Sequence, residues 1–234
     1  MDWAAGAGVP DIVRRIGPLA LVCQAGKRKE SQYMKCKYIT IEREYGSGGT
    51  QIARLLSERN GIPCYGREIL EEVSIDKGIS VEKIERYEET VTNSFLYSVY
   101  MMTQTVSGKT DMLTGEGHIY VAEQAVIRRF AARGPAIFLG HCACEALNEY
   151  QGVVRVFIRC SDEEGKKRRI TEEYGISAEQ ADNVRRKFDR KRSNYFYANT
   201  VRKWDDFKNY DIVLDSGRLG IDTCVNLLME VIAP

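Results

Sequence analysis

The chain has 234 residues, 29% of them charged, and a formal net charge of +1. That length suits one domain, or one core domain with an insertion, and the near-neutral balance points to no particular partner. No run of about 18 apolar residues occurs, so no membrane-spanning helix is expected. The seven cysteines are scattered, with Cys142 and Cys144 the one close pair, which fits a reduced cytoplasmic protein better than a disulfide framework or zinc module.

Residues 1–34 read as a disordered leader. "IGPLALVC", 16–23, follows Arg14 and Arg15 as a signal core would, but Gly17 and Pro18 break it. Met34 stands where translation could begin. "YITIE", 38–42, reads as a buried strand, and "TQIARLLSERNG" as a helix with Ile52, Leu55 and Leu56 on one face and Gly61 as its stop. "IPCY" follows as a short strand. A strand–loop–helix–strand unit of this size is the signature of a parallel sheet.

Residues 67–106 read as helical, acidic at first and then aromatic. Residues 107–117, with Gly108, Gly115 and Gly117, read as a mobile loop. A helix over 118–133 ends at Gly134–Pro135. "AIFLG" and "VVRVFIR" are the third and fourth strands, and "YDIVLD", 210–215, is the fifth. Helices are predicted over 162–174 and 178–193, and "GIDTCVNLLMEVIA" closes the chain as an amphipathic helix. The pattern predicts an α/β fold, a three-layer sandwich around a five-stranded parallel sheet, in one domain over 35–234.

"REYGSGGTQIA", residues 43–53, joins the first strand to the first helix. In such a sheet ligands bind at the carboxyl ends of the strands, and a glycine-rich turn there offers unpaired N–H groups and the positive end of a helix dipole. Gly46, Gly48 and Gly49 let the backbone curl round an anion. Against the pattern G-x-x-x-x-G-K-[ST], Gly48 is the second glycine and Thr50 the hydroxyl for Mg²⁺. Gly49 replaces the lysine, and Arg43 replaces the first glycine. The competing reading is a plain strand-to-helix turn.

Four segments in order, "ITIEREYGSGG…GIPCYGREIL", "AIFLGHCACEAL", "FDRKRSNYFY" and "NYDIVLDS", resemble the cytidylate kinase-like family, a branch of the P-loop nucleoside monophosphate kinases. The resemblance covers about Lys37 to Ile232. It implies a P-loop NTPase-type core, an NMP-binding helical insertion (67–117), a lid and basic region (160–203), and transfer of the ATP γ-phosphoryl group to CMP or dCMP with Mg²⁺. "GSGG" in place of "GSGKS" is a feature of this branch.

The resemblance assigns Gly46, Ser47, Gly48, Gly49 and Thr50 to the ATP phosphates. It assigns Arg185, Asp189 and Arg192 to the acceptor nucleotide; their i, i+4, i+7 spacing puts them on one helix face. Arg168 and Arg169 match the lid arginines. Arg43 has two readings: it replaces the lysine by reaching a β- or γ-phosphate, or it pairs with Glu42 or Glu44 on the surface. The chain departs from the family pattern at Gly66 (usually an acid), His141 (usually Arg) and Gly165 (usually the first lid arginine).

Three functions compete. The first is a phosphotransferase, monomeric or homodimeric, acting on ATP and a nucleoside monophosphate. The second is a nucleotide-binding regulatory protein that has lost turnover. The third is a nucleic-acid module using 165–203, where twelve Lys/Arg face five Asp/Glu. The third is the weakest, because aromatic residues do not regularly interleave the charges before Tyr195, Phe196 and Tyr197.

Overall fold

The computed structural model describes residues 36–91 and 115–232. The expected leader, residues 92–106 of the insertion and residues 107–114 of the expected loop lie outside them. The strands are β1 (Tyr38–Arg43), β2 (Cys64–Tyr65), β3 (Ala136–Leu139), β4 (Val153–Arg159) and β5 (Ile212–Asp215). They form one five-stranded parallel sheet, as the sequence predicts, and its strand order is β2-β3-β1-β4-β5.

Strand β1 is central. It pairs with β3 from Tyr38 to Ile41 and with β4 along its whole length, ending at Arg43 opposite Ile158. Its four middle residues are all buried, as a strand covered on both faces requires. Alternation divides the side chains between two cores. Ile39, Ile41, Ile137, Leu139 and Ile158 pack on α1 (Gly49–Asn60) and α9 (Ile221–Ile232), through Ile52, Leu56, Val225 and Leu228. Ala136 and Phe138 face the other layer, α2 (Arg67–Lys77), α3 (Val81–Val91), α4 (Gly115–Ala131) and α5 (Ala143–Ala146). Beyond β4 come α6 (Glu163–Tyr174), the long α7 (Ala178–Thr200) and α8 (Ser216–Leu219). Among the described residues no helix is long and apolar enough to cross a membrane.

Four expected boundaries move. The helical stretch from residue 67 is broken at Gly78, whose φ of +63° lets its N–H close back on Ser74 O. Helix α4 starts at Gly115, so Gly115 and Gly117 lie in a helix rather than a loop. Helix α7 continues seven residues past 193, to Thr200, where buried Phe196, Ala198 and Asn199 anchor its end. The second strand keeps only Cys64 and Tyr65 of "IPCY".

Leu56 is fully buried between α1 and the sheet. Leu56→Ala is expected to cost about 2–5 kcal/mol of stability, read as a lower urea midpoint at unchanged m-value.

Candidate functional site

The loop after β1 keeps one more sheet bond, Glu44 N to Ile158 O at 3.0 Å, and then leaves the sheet. Gly46 and Gly48 hold φ of +74° and +75°, which turns the chain into α1. Inside the turn the Ser47 hydroxyl donates to Glu44 O (2.8 Å) and accepts from Gly49 N (3.3 Å). Among the described residues, the N–H groups of Gly46, Gly48, Thr50 and Gln51 have no acceptor. Helix α1 has no capping side chain and no acid in its first turn. Open N–H groups at a helix start with no competing carboxylate form an anion site.

Side chains far away in sequence hold this turn. Asp189 Oδ1 accepts from Tyr45 N at 2.7 Å. The Tyr45 ring stacks on Phe188 (4.6 Å) and Tyr174 (5.0 Å), with the Arg192 guanidinium 5.4 Å from its centre. From α6, buried Lys166 reaches Glu44 Oε2 and Glu163 Oε1, both at 2.9 Å. Arg169 Nη1 donates to Gly46 O at 2.8 Å. Ser216 Oγ, at the start of α8, donates to Ser47 O at 2.6 Å.

Beside the turn, at the ends of β1 and β3, lies a cavity of about 410 Å³. Arg43, Lys191 and Arg192 give it positive charge, and Glu42, His141 and Tyr195 line it as well. Arg192 Nη1 donates to Arg43 O at 3.0 Å. Burial lowers the pKa of Arg192, against the raising effect of Asp189 beside it. Burial and then the neighbouring Arg192 pull the Arg43 guanidinium down to about 10. At neutral pH both remain charged. Burial raises the Asp189 carboxyl, partly offset by the Tyr45 N–H it accepts.

A family profile described as the cytidylate kinase-like family matches residues 38–218. The chain belongs to that family. An uncharacterized protein from Eubacterium ventriosum ATCC 27560 shares 26% identity with this cytidylate kinase-like chain, with a TM-score of 0.62 over 83% of this chain and 97% of that one. Shikimate kinase from Bacteroides thetaiotaomicron aligns at 11% identity and a TM-score of 0.47, over 86% and 100% of the two chains. A deoxyadenosine kinase from M. mycoides, with products dCMP and dCDP bound, aligns at 16% and 0.37, over 82% and 97%. No curated protein matches.

The cytidylate kinase-like fold brings together most of the residues singled out in the sequence, but not in the arrangement expected. Gly46, Ser47, Gly48, Gly49 and Thr50 form the turn, with Thr50 exposed on the first turn of α1. Arg169 touches the turn, whereas Arg168 is exposed and has no ion-pair partner among the described residues. Arg192 reaches the cavity. Asp189 is committed to Tyr45 N. Arg185 turns instead to Glu163 (3.3 Å) and Asp182 (3.9 Å) and does not line the cavity. The shared face is real, but it spans from the cavity to the start of α6.

Arg43 is paired with neither Glu42 nor Glu44, which corrects the surface-pair reading. Glu42 accepts from buried Trp204 Nε1 at 3.1 Å, and Glu44 takes Lys166 and the N–H of Cys160. Gly165 also has a structural reason. Its N–H caps on Asp162 Oδ1 at 2.9 Å, and a Cβ there would lie 2.3 Å from that carboxylate, so a side chain would push the capping group aside. At Gly66 a Cβ would make only ordinary contact with Leu139, 3.5 Å away. His141 and Cys142 both hold left-handed φ, +55° and +50°. His141 Nδ1 lies 3.7 Å from Oε2 of the fully buried Glu123, the oxygen that also receives the Tyr195 hydroxyl.

Sequence reasoning missed Lys166, Lys191 and Tyr45. For Lys166 a signal existed: Lys166, Arg169 and Ile170 share a face at i, i+3, i+4, and Ile170 is that face's apolar mark.

Asp189→Ala leaves the inward N–H of Tyr45 without its acceptor and is expected to cost about 1–3 kcal/mol. Asp189→Asn, which keeps an accepting oxygen, should cost less. Urea unfolding of the two variants checks the order.

Proposed function

We propose that the protein is a nucleoside monophosphate kinase that moves the γ-phosphoryl group of ATP to CMP or dCMP. One observation carries this reading. The open N–H cradle and the cation-lined cavity lie at the same edge of one sheet, joined through the last residue of β1. Two phosphate-accepting sites side by side are what direct transfer between two nucleotides needs.

The ATP phosphates lie on the N–H groups of Gly46, Gly48, Thr50 and Gln51. Arg192 and Lys191 hold the acceptor phosphate. Asp189 and the Tyr45 stack keep the loop in place, so the donors need not reorganise as charge develops. Arg169, already on the loop, and Arg168, exposed one residue before it, close over the transferring group and limit hydrolysis. Among the described residues no cluster of three or more His, Cys, Asp or Glu is arranged for a metal. The exposed Thr50 hydroxyl fits a Mg²⁺ that arrives with the nucleotide. That ion neutralises phosphate charge when bound.

Seven of the twelve cations in the 165–203 stretch, Lys166, Lys167, Arg169, Arg185, Lys191, Arg192 and Arg202, engage the turn, nearby carboxylates or the cavity. This disfavours the nucleic-acid reading. The regulatory reading rests on Gly49, where the usual lysine is missing, together with the departures at Gly66, His141 and Gly165.

An ADP-release assay across CMP, dCMP, UMP, AMP and GMP tests the proposal. Turnover with CMP or dCMP is expected. No turnover with any acceptor at high enzyme concentration, with ATP binding intact by calorimetry, would establish the regulatory reading instead. Arg192→Gln is expected to raise the acceptor KM at least about tenfold, with a far smaller change in the KM for ATP. Equal rises in both constants would remove Arg192 from the acceptor side.

A further inference from the structure

Two departures from the lysine-containing loop pattern meet in space. A Cβ placed on Gly49 would lie 2.6 Å from Arg43 Cβ and 2.9 Å from Arg43 Cγ. Real Cβ atoms do not approach so closely, and the conflict is with the stem of the arginine, not with a mobile tip. The positions usually held by glycine and lysine are here held by Arg43 and Gly49. Only one of the two can bear a side chain, because both chains would start into the same space.

The far end of Arg43 passes close to Gly140. A Cβ on Gly140 would lie 2.6 Å from Arg43 Nη1, so the guanidinium would have to shift, and the φ of +81° at Gly140 strains any side chain there. Arg43 thus runs in a slot with Gly49 along its stem and Gly140 at its guanidinium. The slot opens into the cavity. Arg43 makes no ion pair among the described residues, and its Nε is buried with no acceptor. After burial the larger electrostatic influence on it is the repulsion of Arg192, which outweighs the attraction of Glu42. A cation whose Nε is buried, with a second cation pressing on it harder than the acid that faces it, calls for an anion.

We infer that Arg43 and Gly49 are an exchanged pair. The motif's cation has moved from the helix start to the end of β1, and its ligand is a phosphoryl oxygen in the cavity, on the acceptor side of transfer. The assignment of that phosphoryl group to an acceptor nucleotide rests on the kinase reading above. The exchange itself does not.

The test uses thermal midpoints without ligand, and calorimetry with inorganic pyrophosphate as the probe. Gly49→Lys alone is expected to lower Tm by roughly 3–10 °C, because it overpacks the slot. Arg43→Gly combined with Gly49→Lys should recover most of that loss. Arg43→Ala combined with Gly49→Lys should not, since the Cβ conflict remains. Arg43→Met should melt at or above the wild-type temperature while binding pyrophosphate about tenfold or more weakly. The inference is overturned if the Gly/Lys double variant is no more stable than Gly49→Lys, or if Arg43→Met binds pyrophosphate as the wild type does. Failure of the CMP reading looks different: no turnover, with both of these results intact.

Discussion

A guanidinium stands at the end of the central strand with no carboxylate paired to it among the described residues, and the site is arranged around that fact. Strand β1 has neighbours on both sides and cores on both faces, so its last residue falls at the middle of the edge where ligands bind. A charge there costs free energy unless something answers it. The two adjacent acids are otherwise engaged, Glu42 with Trp204 and Glu44 with Lys166. Arg192, of the same sign, repels it more than Glu42 attracts it. Gly49 and Gly140 keep the space open. Such an arrangement trades stability of the free protein for affinity toward an anion.

The glycine-rich turn is likewise not self-supporting. Its internal bonds are those of Ser47. The rest of its support comes from α6, α7 and α8, through residues more than a hundred positions away in sequence. Lys166 and Arg169 place one face of α6 against the turn that the same helix would cover during transfer. Donors fixed by packing before the ligand arrives lose little on reorganising. This links the basic helices to the loop mechanically as well as electrostatically.

Much of this was legible in the sequence, because strand alternation, helix stops and a glycine turn are local signals. All five strands fall within or beside the apolar runs that predict them, the second shortened to Cys64–Tyr65, and residues 46–50 form the turn that the glycines imply. The misses have physical reasons. The amphipathic pattern runs on across Gly78, so it hides the cap that splits α2 from α3. Gly115 and Gly117 read as breakers, yet they open a helix that packs through Ile119, Val126 and Phe130. The family resemblance, with the helical spacing in its support, put Arg185 with Asp189 and Arg192, but a face of that length reaches two different neighbours. Arg43 could not be settled at all from its near neighbours. Its direction depends on Gly140, almost a hundred residues on, and on which partners Glu42 and Glu44 take.

The most direct measurement is the NMR signal of the Arg43 Nε–H, buried without an acceptor in the free protein, followed as CMP is added. The account predicts that this resonance moves and its exchange with water slows as the phosphate of CMP enters the cavity, while cytidine, lacking the phosphate, leaves it in place. An Arg43 signal unmoved by CMP, with Arg192 shifting in the same titration, would contradict it.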